Sequence, residues 1–160
     1  MALTDKERLT ITNLLEQISL AEKAAQVLRY SYHHRPDISP SVDFSDADWE
    51  YWDALAARFA RLADILTQRV FRAIDMVEFL PVGSTYLDRI HRAEKRGHIQ
   101  SAFAWKEIRE IRNQIVHEYA SEHLVPMLQD IINHISELLQ CVVRLQVSTN
   151  ELKLRLLGEG

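Results

Sequence analysis

Arg112 and His117 lie five residues apart in the segment IRNQIVHEYA, residues 111 to 120, with Tyr119 two residues further on. These side chains are matched to one kind of chemistry. A histidine titrates near neutrality and passes protons in either direction. A fixed guanidinium grips a phosphate and stabilises the charge that gathers on a pentacoordinate phosphorus. The two together are sufficient for breaking an RNA strand by attack of its own 2′-hydroxyl, with neither metal nor cofactor.

Arg112 stands in an unusual place. On a wheel of about 100° per residue, Trp105, Ile108, Ile111, Ile115, Val116 and Tyr119 share one broad apolar sector, and Arg112 falls inside it. Arg109, Asn113 and His117 line one border of that sector at spacings of four, while Glu107, Glu110, Gln114 and Glu118 take the outer face. An arginine cannot shed its charge, so burying it without partners is costly. Three arrangements relieve the cost. The guanidinium can pair with a core carboxylate such as Asp75 or Glu78, or snorkel to an edge. It can also face a wet cavity or a second copy of the chain, where an anion neutralises it. Five residues along a continuous helix separate Arg112 from His117 by about 140°. They converge only if the helix loosens near His117, or if two copies meet around a twofold axis.

The elements that hold these residues are legible in the hydrophobic pattern. Only four Gly and four Pro punctuate 160 residues, of which 47% are hydrophobic, so long helices are favoured over short strands. A first helix opens at Thr4 and Glu7 in capping-box spacing and ends near Tyr32, ahead of Pro36 and Pro40. A second begins around Asp46 or Asp48 and runs through Trp52, Leu55, Phe59, Leu62, Leu66, Val70, Ala73 and Val77. A short third helix spans roughly Thr85 to Lys95 and stops at Gly97. A fourth runs from Ser101 or Ala102 through Tyr119, and a fifth from Leu124 through Leu145, with Pro126 in its first turn. The expected fold is all-α, an antiparallel bundle of four to five helices in one domain over residues 1–147. In the tail, 148–160, Leu152, Leu154 and Leu156 alternate with polar residues. That pattern leaves a short strand, a partner-docking arm and a disordered end all open.

Charge is distributed unevenly. The formal net charge is −4, yet residues 88 to 112 carry seven Lys or Arg against four acids, and residues 37 to 50 carry five acids and no Lys or Arg. The first of these stretches reads either as a solvated helix face or as the landing ground for a polyanion, with Arg92, Lys95, Arg96 and Lys106 as RNA-binding candidates. The cluster Trp49, Tyr51 and Trp52 could stack bases, although aromatics opening a helix more often pack. The lone Cys141 sits in helical core sequence and suits a reducing cytoplasm. No apolar run is long enough to span a membrane, and the N-terminus lacks the apolar centre of a signal peptide. His33 and His34 precede a proline turn, and His91 and His98 have no third ligand in view, so no metal is expected.

The segment R-N-Q-I-V-H-E-Y fits R-x4-H-x-Y and resembles the signature of HEPN-domain proteins, in particular the toxins encoded beside minimal nucleotidyltransferase (MNT) antitoxins. The resemblance extends upstream through RAEKRGHIQSAFAWKEIREIRNQIVHEY, where a glycine turn, a tryptophan and a doubled arginine precede the motif. It covers residues 85 to 120 closely and the remainder as a compatible helical layout. It implies a cytoplasmic homodimeric endoribonuclease toxin of a type VII-like pair, acting on tRNA or mRNA. Arg112 and His117 would be its catalytic pair, at a composite site between protomers, with Asn113 and Arg109 in support. His117 would act as general base or acid, and the products would be a 2′,3′-cyclic phosphate and a 5′-hydroxyl. Tyr119 matches the tyrosine that the antitoxin silences by transferring AMP, adding bulk and negative charge beside the cleft.

Two other readings make different predictions. A non-catalytic helical partner of a nucleotidyltransferase would have little reason to keep both Arg112 and His117. A purely structural bundle would lock Arg112 to a core carboxylate, away from its imidazole and from any second copy.

Overall fold

In the computed structural model, which describes residues 2–36, 43–81, 83–117 and 124–158, every regular element is helical. Helix α1 (Asp5–His33) begins where Thr4 accepts a hydrogen bond from the Glu7 amide while the Glu7 carboxylate accepts one from the Thr4 amide. The same reciprocal box recurs, with Asp in the Glu position, at Ser45 and Asp48 for α2 (Asp46–Asp64) and at Thr85 and Asp88 for α4 (Tyr86–Lys95). Each box satisfies two amides that the first turn of a helix leaves without partners.

Helix α2 does not end at Asp64. It continues through a π-helical segment, Ile65–Val70, into α3 (Phe71–Val77). Leu62, Leu66 and Val70 are all fully buried although they follow one another at spacings of four. Repeated fours overshoot a 3.6-residue turn, and a locally wider turn keeps all three on the core side. Gly97, at φ 78, closes α4: the Gly97 amide donates to Glu94 and the His98 amide to Ala93, the two bonds of a Schellman ending. The Glu94 carboxylate then reaches forward to accept from the Ala102 amide at the start of α5 (Ala102–His117).

Helix α1 packs against α2, the π segment, α3 and α6 (Leu124–Ser148), while α5 packs against α2, α4 and α6. Tyr51 and Arg58 of α2 bond to Ser31 and Val27 of α1 in descending order, so these two helices run antiparallel. Leu14, Ile18, Phe59, Phe71, Trp105 and Ile131 form the centre of a continuous core. The tail differs from a strand. Residues Asn150–Leu157 form α7, which lies against α1 and α6, and Leu152 packs on the core. Arg8 of α1 donates to the Leu156 carbonyl at 3.2 Å. The alternation at Leu152, Leu154 and Leu156 therefore does not mark a strand; Leu152 turns to the core while Leu154 is exposed.

Candidate functional site

Helix α5 buries Ala102, Trp105, Ile108 and Ile111. The apolar stripe is narrower than the wheel suggests, and Arg112 lies at its edge with 33% of its side chain exposed. The expectation of a core-buried Arg112 is thus corrected: Ile115 is only half-buried and Val116 is exposed, so the stripe fades toward the end of the helix. Asp64, the last residue of α2, meets Arg112 in a two-pronged ion pair, Nε to Oδ1 at 2.8 Å and Nη2 to Oδ2 at 2.9 Å. These bonds hold the Arg112 guanidinium above its ordinary pKa, against a smaller opposing effect of burial. Asp64 is itself 41% exposed, so the pair sits at a solvent-facing rim and not in the core. Nη1 and one Nη2 hydrogen stay clear of Asp64, and Nη1 makes only a long 3.4 Å approach to Asn113.

Asp75 and Glu78, the carboxylates considered as partners for Arg112, are engaged elsewhere. Asp75 accepts from Arg92 at 2.7 Å and from Arg96 at 3.0 Å, and Glu78 accepts from Arg96 at 2.5 Å. Arg92 and Arg96 therefore spend their charge tying α4 to α3. Lys95 and Lys106 are exposed, and none of these four lines the cleft that holds Arg112.

That cleft encloses about 830 Å³ between the α2 and π segment on one side and α4 and α5 on the other. Five arginines line it, Arg61, Arg69, Arg89, Arg109 and Arg112, with Asp64 as the one carboxylate among the lining residues. Asn113 also faces it, so Arg109 and Asn113 of the expected border come together with Arg112. The Arg109 guanidinium stacks over the Tyr86 ring at 4.6 Å, and the Tyr86 hydroxyl donates to the Trp105 carbonyl at 2.6 Å. Burial raises the Tyr86 hydroxyl to about 12, so it stays a neutral donor.

His117 is the last residue of α5, is exposed, and is not among the residues lining the cleft. The helix is regular from Arg112 to His117. One chain therefore leaves the two side chains about 140° apart. No loosening of the helix is present between them among the described residues. Tyr119 lies outside the described residues.

Among the described residues the buried arginine is Arg89, which sequence reasoning counted only as one charge among several. It is 4% exposed. Tyr86, Arg89, Ile90 and Ala93 recur at three and four residues, and that shared stripe was the available signal. Cys141 is buried, and burial pushes its thiol well up, consistent with its place in core sequence. Trp49 packs edge-on with Phe44, Tyr51 packs edge-on with Trp52, and Trp52 is buried. Among the described residues no group of three or more His, Cys, Asp or Glu is placed to hold a metal, and no helix is long and apolar enough to cross a membrane.

No family model matches the chain, and no match is found among curated proteins.

Proposed function

We propose that this chain is the endoribonuclease toxin of a HEPN–MNT pair, acting as a homodimer and silenced by AMP transfer to Tyr119. The observation that carries the reading is the arginine-rich cleft on α5, which holds Arg112, Arg109 and Asn113 and has the charge a polyanion needs. The R-x4-H-x-Y segment supplies the proton-transfer group. Val116, beside His117, is 44% exposed and gives a second copy an apolar foothold next to the imidazole.

In this reading one His117 removes the proton of a ribose 2′-hydroxyl. The 2′-oxygen bonds to phosphorus, the bond from phosphorus to the 5′-oxygen breaks, and the His117 of the second protomer returns a proton to that leaving oxygen. The N–H groups of Arg112 that Asp64 does not take up hold the non-bridging oxygens of the phosphate. The test is cleavage of purified tRNA and mRNA by the wild type, His117→Ala and Arg112→Ala. Loss of 2′,3′-cyclic phosphate products in both variants is expected, and equal cleavage by all three proteins rejects the reading. Intact mass of the protein made with and without a nucleotidyltransferase neighbour tests Tyr119 separately.

The Asp64 pair favours a second reading, a non-catalytic helical partner of a nucleotidyltransferase, because it already neutralises Arg112 in the isolated chain. Under that reading the wild type cleaves no RNA but binds the nucleotidyltransferase with unchanged affinity after His117→Ala.

A further inference from the structure

Arg89 is the cation in this chain whose burial is hardest to account for. Its Nη1 donates to the Ser84 carbonyl at 2.7 Å, its Nη2 makes a marginal 3.5 Å approach to the Gln68 amide oxygen, and its Nε has no partner among the described residues. All of these acceptors are neutral. Asp75, whose charge favours the charged form of Arg89, makes its hydrogen bonds to Arg92 and Arg96. Burial first, and the charge of Arg72 second, push the Arg89 guanidinium below its ordinary pKa. A buried guanidinium lacking a carboxylate is a costly arrangement that an incoming anion relieves.

Arg89 lines the same cleft as Arg61, Arg69 and Arg109, and the π segment is what brings Gln68 and Arg69 to that wall. Asp64, the carboxylate lining the cleft, bonds Arg112 through both of its oxygens and makes no hydrogen bond to Arg89. We propose that Arg89, with Arg69 and Gln68, forms a phosphate subsite that takes a second backbone phosphate of a bound single strand, next to the one held at Arg112. That the strand is RNA rests on the ribonuclease reading; the subsite itself rests on the geometry around Arg89. A strand held at two phosphates is fixed in direction across the cleft, which a single guanidinium cannot do.

The test uses the full chain and a single-stranded oligodeoxyuridylate of about eight nucleotides, which lacks the 2′-hydroxyl and cannot be cleaved by the proposed route. Binding is followed by anisotropy across a salt series for the wild type, Arg89→Gln, Arg69→Ala and Lys153→Ala. Arg89→Gln and Arg69→Ala are expected to weaken binding about tenfold and to lower the slope of log affinity against log salt by about 0.7 each. Lys153→Ala, on α7 away from the cleft, is expected to match the wild type. Arg69 is exposed, so its variant keeps the test valid even if Arg89→Gln fails to fold. Unchanged affinity and slope in a folded Arg69→Ala and Arg89→Gln would overturn the subsite, even if the wild type cleaves RNA. Binding that depends on both residues without any RNA cleavage would keep the subsite and remove the ribonuclease reading. Inorganic phosphate is the second probe: thermal protection of the wild type by phosphate, with no oligonucleotide binding, would assign the pocket to a free anion and overturn the strand subsite.

Discussion

Asp64 and Arg112, 48 positions apart in sequence, face each other across the rim of the arginine-lined cleft through two parallel hydrogen bonds of 2.8 and 2.9 Å. The pair fixes the plane of the guanidinium and removes one unit of positive charge from the cleft wall. Asp64→Ala should therefore separate orientation from attraction. In the ribonuclease reading kcat for RNA cleavage falls about ten- to a hundredfold as Arg112 loses its fixed pose, while KM falls because the cleft becomes more cationic. Both partners are partly exposed, so the stability change should stay within about 1 kcal/mol. Steady-state kinetics with a thermal melt checks this, and an unchanged kcat would sink it.

Asp75 is a buried carboxylate holding Arg92 of α4 and Arg96, just past its end, against α3. Asp75→Ala leaves Arg92 without its carboxylate and Arg96 with Glu78 alone, and a loss of about 3 kcal/mol is expected from breaking such a pair on one side. Urea unfolding measures it. A combined change of Asp75 and both arginines to apolar residues should recover much of the loss.

Trp105 is fully buried, contacts Phe71 at a ring separation of 5.5 Å, and anchors in the core the same helix that carries Arg109 and Arg112. Trp105→Ala should cost about 3–5 kcal/mol through lost transfer energy and the cavity left behind. Trp105→Phe should cost less. Denaturant titration distinguishes them, and near-equal midpoints for the two variants would contradict the packing described.

His98 is buried behind the Gly97 turn, and burial first, then the Arg96 charge, lowers its pKa below 6.5, with Glu78 opposing. The folded chain keeps this imidazole neutral where the unfolded chain takes up a proton. Stability from His98 is present above about pH 6.5 and is lost as the pH falls below it, because the unfolded state then binds the extra proton. Melting temperature should drop between about pH 7 and pH 5, and His98→Gln should drop less over the same interval. An identical pH profile for both proteins would contradict this.

Helix boundaries were readable because their signals are local. Thr4 with Glu7, Thr85 before α4, Gly97 after it and Pro126 in the first turn of α6 each act within one turn of chain, and the structure places helix ends beside all of them. The π segment was not readable as such, since spacings of four at Leu62, Leu66 and Val70 fit an α-helical stripe nearly as well. Of the border set Arg109, Asn113 and His117 that spacing groups, the cleft gathers Arg109 and Asn113 without His117, and Arg112 joins them from the edge of the apolar stripe. Their partners could not be read in this way, because a carboxylate meets a guanidinium across the bundle and nothing in the spacing along one helix says which.

The amino-acid order by itself determined an all-helical chain, the ends of its helices and the side chains that share each face, for these follow from backbone periodicity and capping. Tertiary packing alone decided which charges meet: Asp64 went to Arg112, Asp75 and Glu78 went to Arg92 and Arg96, and Arg89 was left buried with only neutral acceptors among the described residues. Those pairings depend on the distance between helices far apart in sequence. Coulomb energy and desolvation act on that distance, which local pattern does not encode.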